Sequence, residues 1–267
     1  MGMPRDVIPP ADTGAYNEKL RASLVEKLFF MQHLGDKVGL WVDFGCADGA
    51  VLRAVRNKTF FQNQYVGHDS DPVQIMACRA NGIPATSDRM AIARLFRCAR
   101  QEGTKSVLIL SSVIHELRSQ GMTLASIMDM VNDWGPDYVV IRDFALDEEE
   151  YDVPVPLGAI TKVREKTHPD ERWDFIARYG RIETRAEMIH FLLKYQFATD
   201  TEDWEKELRE DYIGTSAQVY SRLGEFHGYG QLYYDHSPLP HFKGWVKKVF
   251  GFELTSATHV KLILERE

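Results

Sequence analysis

The fold is decided near the start of the chain, by the stretch Leu40-Trp41-Val42-Asp43-Phe44-Gly45-Cys46-Ala47-Asp48-Gly49-Ala50-Val51-Leu52. Its first five residues are apolar except for Asp43 and predict a buried strand. Small residues at Gly45, Ala47 and Gly49 keep the next turn thin enough for the backbone to lie against a ligand. The apolar spacing from residue 50 onward predicts a helix. Because the first N–H groups of a helix have no partner within it, the stretch predicts a ligand-binding corner of an α/β sheet.

The spacing Asp43-x-Gly45-x-Ala47-x-Gly49 places an acid two residues before the first glycine. It resembles motif I of the class I S-adenosylmethionine (SAM)-dependent methyltransferases, Asp/Glu-x-Gly-x-Gly-x-Gly, with Ala47 in place of the middle glycine. In that family the acid and the turn hold the amino-acid end of the cofactor, and the resemblance implies the same role here. An ordinary strand–turn–helix corner is the alternative interpretation of this motif.

A second acid, Asp69, ends the next short strand, residues 65–69, about one βαβ step beyond Gly49. A carboxylate at the tip of this strand is well placed to accept both hydroxyls of a ribose. The family has a ribose-binding acid at the same place. Asp69 could instead cap the helix that opens at Pro72.

A third acid, Asp88, follows a short third strand over residues 83–86. The family often carries an acid here that accepts from the adenine amino group, while the next residue, here Arg89, adds a backbone N–H. A helix cap is the alternative role of Asp88. Taken together, the motifs predict a SAM site made of Asp43, Gly45, Cys46, Ala47, Gly49, Asp69, Ser70, Asp88, Arg89 and Ser111.

Candidate catalytic residues follow the most strand-like run of the chain, residues 106–110. His115 could deprotonate an acceptor hydroxyl or amine, since imidazole titrates near neutral pH. Glu116 could orient the substrate or accept a hydrogen bond from it. Both could instead form the polar cap of the following helix. Methyl transfer requires no protein nucleophile, because the protein mainly aligns the acceptor with the cofactor. The sequence therefore says little about the mechanism.

Alternating strands and helices through residue 143 predict a parallel, doubly wound sheet. At the C-terminus, residues 252–256 and 259–264 predict two strands whose short connection requires an antiparallel pair. The resemblance, which covers residues 38–143 and 250–266, implies a seven-stranded, mostly parallel sheet of order 3-2-1-4-5-7-6 with an antiparallel C-terminal hairpin. A nicotinamide-binding Rossmann sheet would not end in this way.

The predicted organisation has four segments. Residues 1–37 form an N-terminal arm and helix, and residues 38–145 form the SAM-binding core. Residues 146–250 form a mostly helical insertion between strands 5 and 6, which we interpret as a cap over the acceptor; an oligomer interface is the alternative. Residues 251–267 complete the sheet.

Composition sets limits on the class of protein. The chain has 267 residues, and its hydrophobic content of 44% is ordinary for a soluble globular protein. The formal net charge of −7 argues against duplex-DNA binding driven by bulk charge. The cysteines, Cys46, Cys78 and Cys98, form no Cys-x-x-Cys pair, so they are predicted to be reduced thiols of a cytoplasmic protein. No metal site and no membrane span are predicted.

The sequence therefore predicts a SAM-dependent methyltransferase that acts on an oxygen or nitrogen of a small molecule, a nucleotide or RNA. The residues Ser111-Ser112-Val113-Ile114 at the end of the fourth strand differ from the Asp/Asn/Ser-Pro-Pro-aromatic motif of DNA amino-methyltransferases. No Pro-Cys dipeptide, the nucleophile motif of cytosine-C5 enzymes, occurs. The alternatives are a non-catalytic SAM-fold subunit that acts through the insertion and a nicotinamide-dependent oxidoreductase.

Overall fold

The computed structural model describes residues 24–59, 62–197 and 201–267, apart from the side chains of residues 202, 203 and 226. In these ranges one sheet contains seven strands: β1 (Leu40–Phe44), β2 (Gln64–His68), β3 (Ala85–Thr86), β4 (Ser106–Ser111), β5 (Tyr138–Phe144), β6 (Tyr229–Ser237) and β7 (His259–Arg266). Their order across the sheet is β3-β2-β1-β4-β5-β7-β6. This order confirms the predicted fold class.

The α-helices of the described residues are numbered here in chain order. They are α1 (Met31–Leu34), α2 (Ala50–Arg56), α3 (Pro72–Ala80), α4 (Arg89–Gln101), α5 (Ile114–Ser119), α6 (Leu124–Trp134), α7 (Leu157–Lys166), α8 (Pro169–Tyr179), α9 (Arg185–Tyr195), α10 (Thr201–Arg209), α11 (Ala217–Ser221) and α12 (Pro240–Phe250). A helical turn over residues 24–27 precedes α1. None of the helices in the described part of the chain is long and apolar enough to cross a membrane.

The first five strands are parallel neighbours, with β1 between β2 and β4. Every residue of β1, β4 and β5 is buried, as expected for strands that are covered on both faces. The last two strands run antiparallel: the N–H of Glu267 donates to the carbonyl of Gly228, and the N–H of Thr258 donates to the carbonyl of Ser237. The antiparallel C-terminal pair is therefore confirmed.

The position predicted for the sixth strand was wrong. Residues 252–256 contain no strand, and β6 (Tyr229–Ser237) lies within the segment predicted as a mostly helical insertion. The connection between β6 and β7 is consequently long and contains α12. Most residues of β6 are only half-buried, so the strand lacks the continuous apolar run that identified β4.

Other predicted elements also need correction. α5 was not predicted, and α7 and α8 lie in the insertion that was predicted only as mostly helical. Of the predicted N-terminal arm and helix, residues 1–23 lie outside the described residues. The interpretation of residues 146–250 as an acceptor cap stays a prediction.

The described residues divide into two compact units. The sheet unit contains residues 24–143, Val219–Asp235 and Val260–Glu267. One buried cluster packs residues before β1 against one face of the central strands, and includes Phe30, Leu34, Trp41, Val107, Ile109 and Val140. The helical unit contains Phe144–Gln218 and His236–His259.

The helical unit has its own apolar core and a buried cation. The core includes Phe144, Phe175, Ile189, Phe191, Phe242 and Val246. α9 begins with a capping box formed by Thr184 and Glu187. The side chain of Lys194, fully buried on α9, donates to the carbonyls of Glu207 and Glu210.

Candidate functional site

The turn between β1 and α2 is built from residues in the left-handed region. The φ angles of Gly45, Ala47 and Gly49 are 78°, 45° and 79°. A Cβ atom on Gly45 would lie 2.8 Å from Cγ2 of Val113, and one on Gly49 would lie 2.7 Å from Sγ of Cys78. Both glycines are therefore required by close packing as well as by backbone conformation.

Asp69 ties the end of β2 to this turn. Its Oδ2 accepts from the N–H of Ala47 at 2.9 Å, and its Oδ1 accepts from the N–H of Asp71 at 3.0 Å. The cap of α3 is Asp71, whose carboxylate accepts from the N–H of Val73. Asp69 is thus not the residue that caps the helix. Each carboxylate oxygen can accept a second hydrogen bond, so Asp69 keeps capacity for two further donors.

The acid at the end of β1 is buried beside a cation. Asp43 is 2% exposed. Burial raises the pKa of Asp43 to about 7, and the opposing charge of Lys27 lowers it less than burial raises it. The pKa of Lys27 is lowered by burial and by Arg142, while Asp43 acts in the opposite direction. Lys27 lies in the helical turn over residues 24–27, and sequence reasoning missed it because no motif marks a lysine that only the tertiary fold brings to the turn.

Two thiols lie beneath the turn. Sγ of Cys46 lies 3.8 Å from Sγ of Cys78, and all three cysteines of the chain are free. Burial raises the pKa of both Cys46 and Cys78. A Cβ on Gly67 of β2 would lie 2.5 Å from Sγ of Cys46. Cys46 therefore packs the turn against β2, and its thiol is a poor nucleophile.

On the other side of the turn, Asp88 caps α4. Its Oδ1 accepts from the N–H of Met90 at 2.8 Å, and its Oδ2 pairs with Arg94 at 3.1 Å. The guanidinium of Arg89 lies 5.6 Å from the ring centroid of Phe44. The ring of Phe44 also stacks on His68, with the ring centroids 4.2 Å apart. A contact of Asp88 or Arg89 with adenine stays a prediction, as does one of Ser70, which is exposed between β2 and α3.

At the carboxyl ends of β4 and β5, Asp143 organises the start of α5. Its Oδ1 lies 2.5 Å from Nδ1 of His115, and its Oδ2 accepts from the N–H groups of Ile114 and His115 at 2.7 and 3.1 Å. His115 and Glu116 lie inside α5, whose first N–H groups are satisfied by Asp143. Neither predicted catalytic residue is therefore the cap of this helix. A catalytic role for them stays a prediction.

The structure brings most of the predicted site together at one edge of the sheet. Ser111, at the end of β4, shares this edge with the turn, Asp69 and α5. In open α/β sheets ligands bind outside the carboxyl ends of the strands, where the strand order reverses. Here the reversal lies between β1 and β4, because β1 continues to β2 on one side and β4 continues to β5 on the other.

Similarity to known proteins is found among solved structures. No family model matches the chain, and no curated protein matches it. Among solved structures, a geranyl diphosphate C-methyltransferase from Streptomyces coelicolor A3(2) aligns over 99% of this chain and 90% of its own, with 11% identity and a TM-score of 0.56. SAM-dependent methyltransferases from Archaeoglobus fulgidus (10% identity, 95% and 99% coverage, TM-score 0.47) and from Anabaena variabilis (12%, 93% and 85%, 0.48) also align.

The chain has the class I SAM-dependent methyltransferase fold. The strand order and the antiparallel strand β7 between β5 and β6 are those that the resemblance implied. The turn over residues 45–49 and Asp69 lie side by side at the carboxyl ends of β1 and β2.

Proposed function

We propose that the protein is a methyltransferase that binds SAM in the turn between β1 and α2. The observation that supports this most directly is the bond between Asp69 and the N–H of Ala47, which fixes a ribose-binding acid against a turn that has no room for side chains at Gly45 and Gly49.

The residues of the cradle fit the chemistry of the cofactor. A buried acid, Asp43, suits the ammonium of its amino-acid end, and Asp69 suits the ribose hydroxyls. Arg89, whose guanidinium lies over the ring of Phe44, would contact the adenine. When bound, SAM supplies an electrophilic methyl group on a sulfonium.

We further propose that His115 accepts the proton of the acceptor. An ionised carboxylate can only accept a hydrogen bond, so Nδ1 of His115 donates to Oδ1 of Asp143 and Nε2 is the nitrogen that would take a proton. Nε2 of His115 would take the proton of the acceptor hydroxyl or amine, and bound SAM would supply the methyl group. Asp143 is the positioning residue, because it fixes the ring and its tautomer.

Calorimetric titration with S-adenosylhomocysteine, with NAD as the control, tests the cofactor. Micromolar binding of S-adenosylhomocysteine alone supports the proposal and justifies screening of small molecules, nucleotides and RNA with a labelled methyl donor. Binding of NAD alone would favour the oxidoreductase alternative. Cofactor binding without turnover on any acceptor would favour a non-catalytic subunit that acts through residues 146–250. We also propose that the protein is cytoplasmic and that an oligomer forms through residues 146–250.

A further inference from the structure

Among the described residues, two buried hydrogen-bond donors near the ends of β4 and β5 have no partner. Oγ of Ser111 and Nε of Arg142 are both buried and unpaired among the residues that the structure describes. Ser111 and Arg142 are 8% and 3% exposed. They are also register partners in the parallel pair β4–β5, so their side chains leave the same face of the sheet. Unsatisfied buried polar groups are rare in folded proteins, and a bound ligand is one of their causes.

Arg142 is a fixed cation at this position. One of its terminal nitrogens donates to Oγ of Ser112 at 2.9 Å. Burial lowers the pKa of Arg142 to about 10, so the guanidinium is still charged at neutral pH. The two carboxylates that act on it are engaged elsewhere, since Glu26 pairs with Lys261 and Asp143 holds His115.

The same face carries the predicted cofactor acid. Asp43 is in register with Ile109 of β4, two residues before Ser111, so Asp43, Ser111 and Arg142 share one side of the sheet. Arg142 lies two strands from β1, which at the usual strand spacing is about 10 Å. It is thus on the β4–β5 side of the reversal point, away from Asp69 and the ribose position.

We propose that Arg142 and Ser111 bind a carboxylate of the acceptor, so that the substrate of the proposed methyl transfer is a carboxylic acid. A guanidinium N–H and a hydroxyl supply one donor for each carboxylate oxygen. A phosphate monoester fits less well, because it brings a larger negative charge to a face that already carries Asp43. The inference rests on the proposed function. The competing source of a carboxylate is the amino-acid end of the cofactor itself.

The test measures the Nε–H resonance of Arg142 by NMR, in protein saturated with S-adenosylhomocysteine and titrated with formate and then benzoate. The resonance is assigned by its loss in Arg142→Lys. We expect both carboxylates to shift it, benzamide to leave it unchanged, and Ser111→Ala to weaken benzoate binding about tenfold, the value of one hydrogen bond to a charged group. Ser111→Ala removes an unsatisfied group, so it should fold at least as stably as the parent.

Two results would overturn the inference. One is a resonance that neither carboxylate moves. The other is a loss of S-adenosylhomocysteine affinity in Ser111→Ala and Arg142→Lys with unchanged affinity for methylthioadenosine, which lacks the carboxylate, because that assigns the donors to the cofactor. Failure of the proposed function looks different: the parent protein binds neither nucleoside. The formate titration of the unliganded protein then still decides whether Arg142 and Ser111 hold a carboxylate.

Discussion

The carboxylate of Asp69 accepts a hydrogen bond from the backbone N–H of Ala47 at 2.9 Å and so joins the end of β2 to the turn after β1. Ala47 has a φ of 45°, an uncommon conformation for a residue with a side chain. The bond to Asp69 stabilises this conformation from outside the turn. One side chain therefore fixes the shape of the cradle and is also the predicted ribose acceptor.

Asp69→Ala should weaken S-adenosylhomocysteine binding by at least about tenfold, because hydrogen bonds to a charged group are worth about 1.5–3 kcal/mol each. Asp71→Ala is the matched control, since it removes a carboxylate two residues away that only caps α3. It should cost about 1 kcal/mol of stability and leave affinity unchanged. Calorimetry and urea unfolding measure both quantities. Equal affinity in parent and Asp69→Ala would show that the ribose lies elsewhere.

Alanine at Gly45 or Gly49 should lower both stability and cofactor affinity. Gly103→Ala is the control, because Gly103 has a φ of 68° and nothing within 4 Å of the added Cβ. It should cost only the conformational strain, about 1–2 kcal/mol. The other two substitutions add contacts of 2.8 and 2.7 Å and should cost more in urea unfolding. Equal losses of unfolding free energy in the alanine variants of Gly45, Gly49 and Gly103 would mean that close packing of the turn is unimportant.

Cofactor binding should release protons near neutral pH. The pKa of Asp43 is about 7 in the free protein, so about half of these carboxyls are protonated at pH 7. A bound ammonium favours the charged form and lowers this pKa, which expels the proton. Calorimetry of S-adenosylhomocysteine in buffers of different ionisation enthalpy measures the release. Methylthioadenosine, which lacks the ammonium, and the variant Asp43→Asn should both show a smaller release; the same release in all three would exclude Asp43 as its source.

Asp143 and His115 should be energetically coupled. Each is replaced by alanine, singly and together, and the free energy of unfolding is measured in urea. Because the two side chains share a short buried hydrogen bond, we expect a coupling energy of about 1–3 kcal/mol. Asp137 at the start of β5 is a control partner, since it bonds to Lys105 and Ser106 instead. The coupling energy between Asp137 and His115 should be close to zero. If the stability losses of the Asp143 and His115 single variants simply add in the double variant, Asp143 does not position His115.

The buried Lys194 should make stability depend on pH in the alkaline range. Burial lowers its pKa from 10.5 to about 8. The unfolded chain therefore binds this proton more tightly between pH 8 and 10.5, and the contribution of Lys194 to stability rises with pH across this window. Lys194→Met should remove that rise, measured as the difference between the two proteins in unfolding free energy at pH 7.5, 9 and 10. If the unfolding free energies of the parent and Lys194→Met change with pH in parallel, the lowered pKa of Lys194 is contradicted.

The central strands and the cradle could be predicted because their signals are local. β1 and β4 are continuous apolar runs, and the turn is marked by glycines that its backbone requires. β6 could not be found in this way, because a half-exposed strand with a glycine at its second position resembles a loop. The helix α8 was not identified because it buries one residue, Phe175, among residues of mixed charge, so no repeated apolar spacing marks it.

The candidate site was predictable only as far as it follows strand ends. Asp43 lies in the apolar run of β1, and Asp69 directly follows the short strand β2. The roles of Asp143 and Lys27 depend on contacts across the fold. Asp143 accepts from residues 28 and 29 positions earlier, and Lys27 is placed by the packing of Phe30 against the sheet. Motif spacing carries no information about such contacts.

The position of β7 has a consequence for the order in which the chain folds. β7 is the last strand in the sequence, yet it lies between β5 and β6. During synthesis on the ribosome β6 emerges first and finds no neighbour in the sheet until residues 259–266 follow. A partly made chain thus exposes the backbone groups of both β5 and β6, and such unpaired edges are prone to aggregate. Closure of the sheet must therefore be a late event, because β6 has a neighbour in the sheet only once β7 has formed.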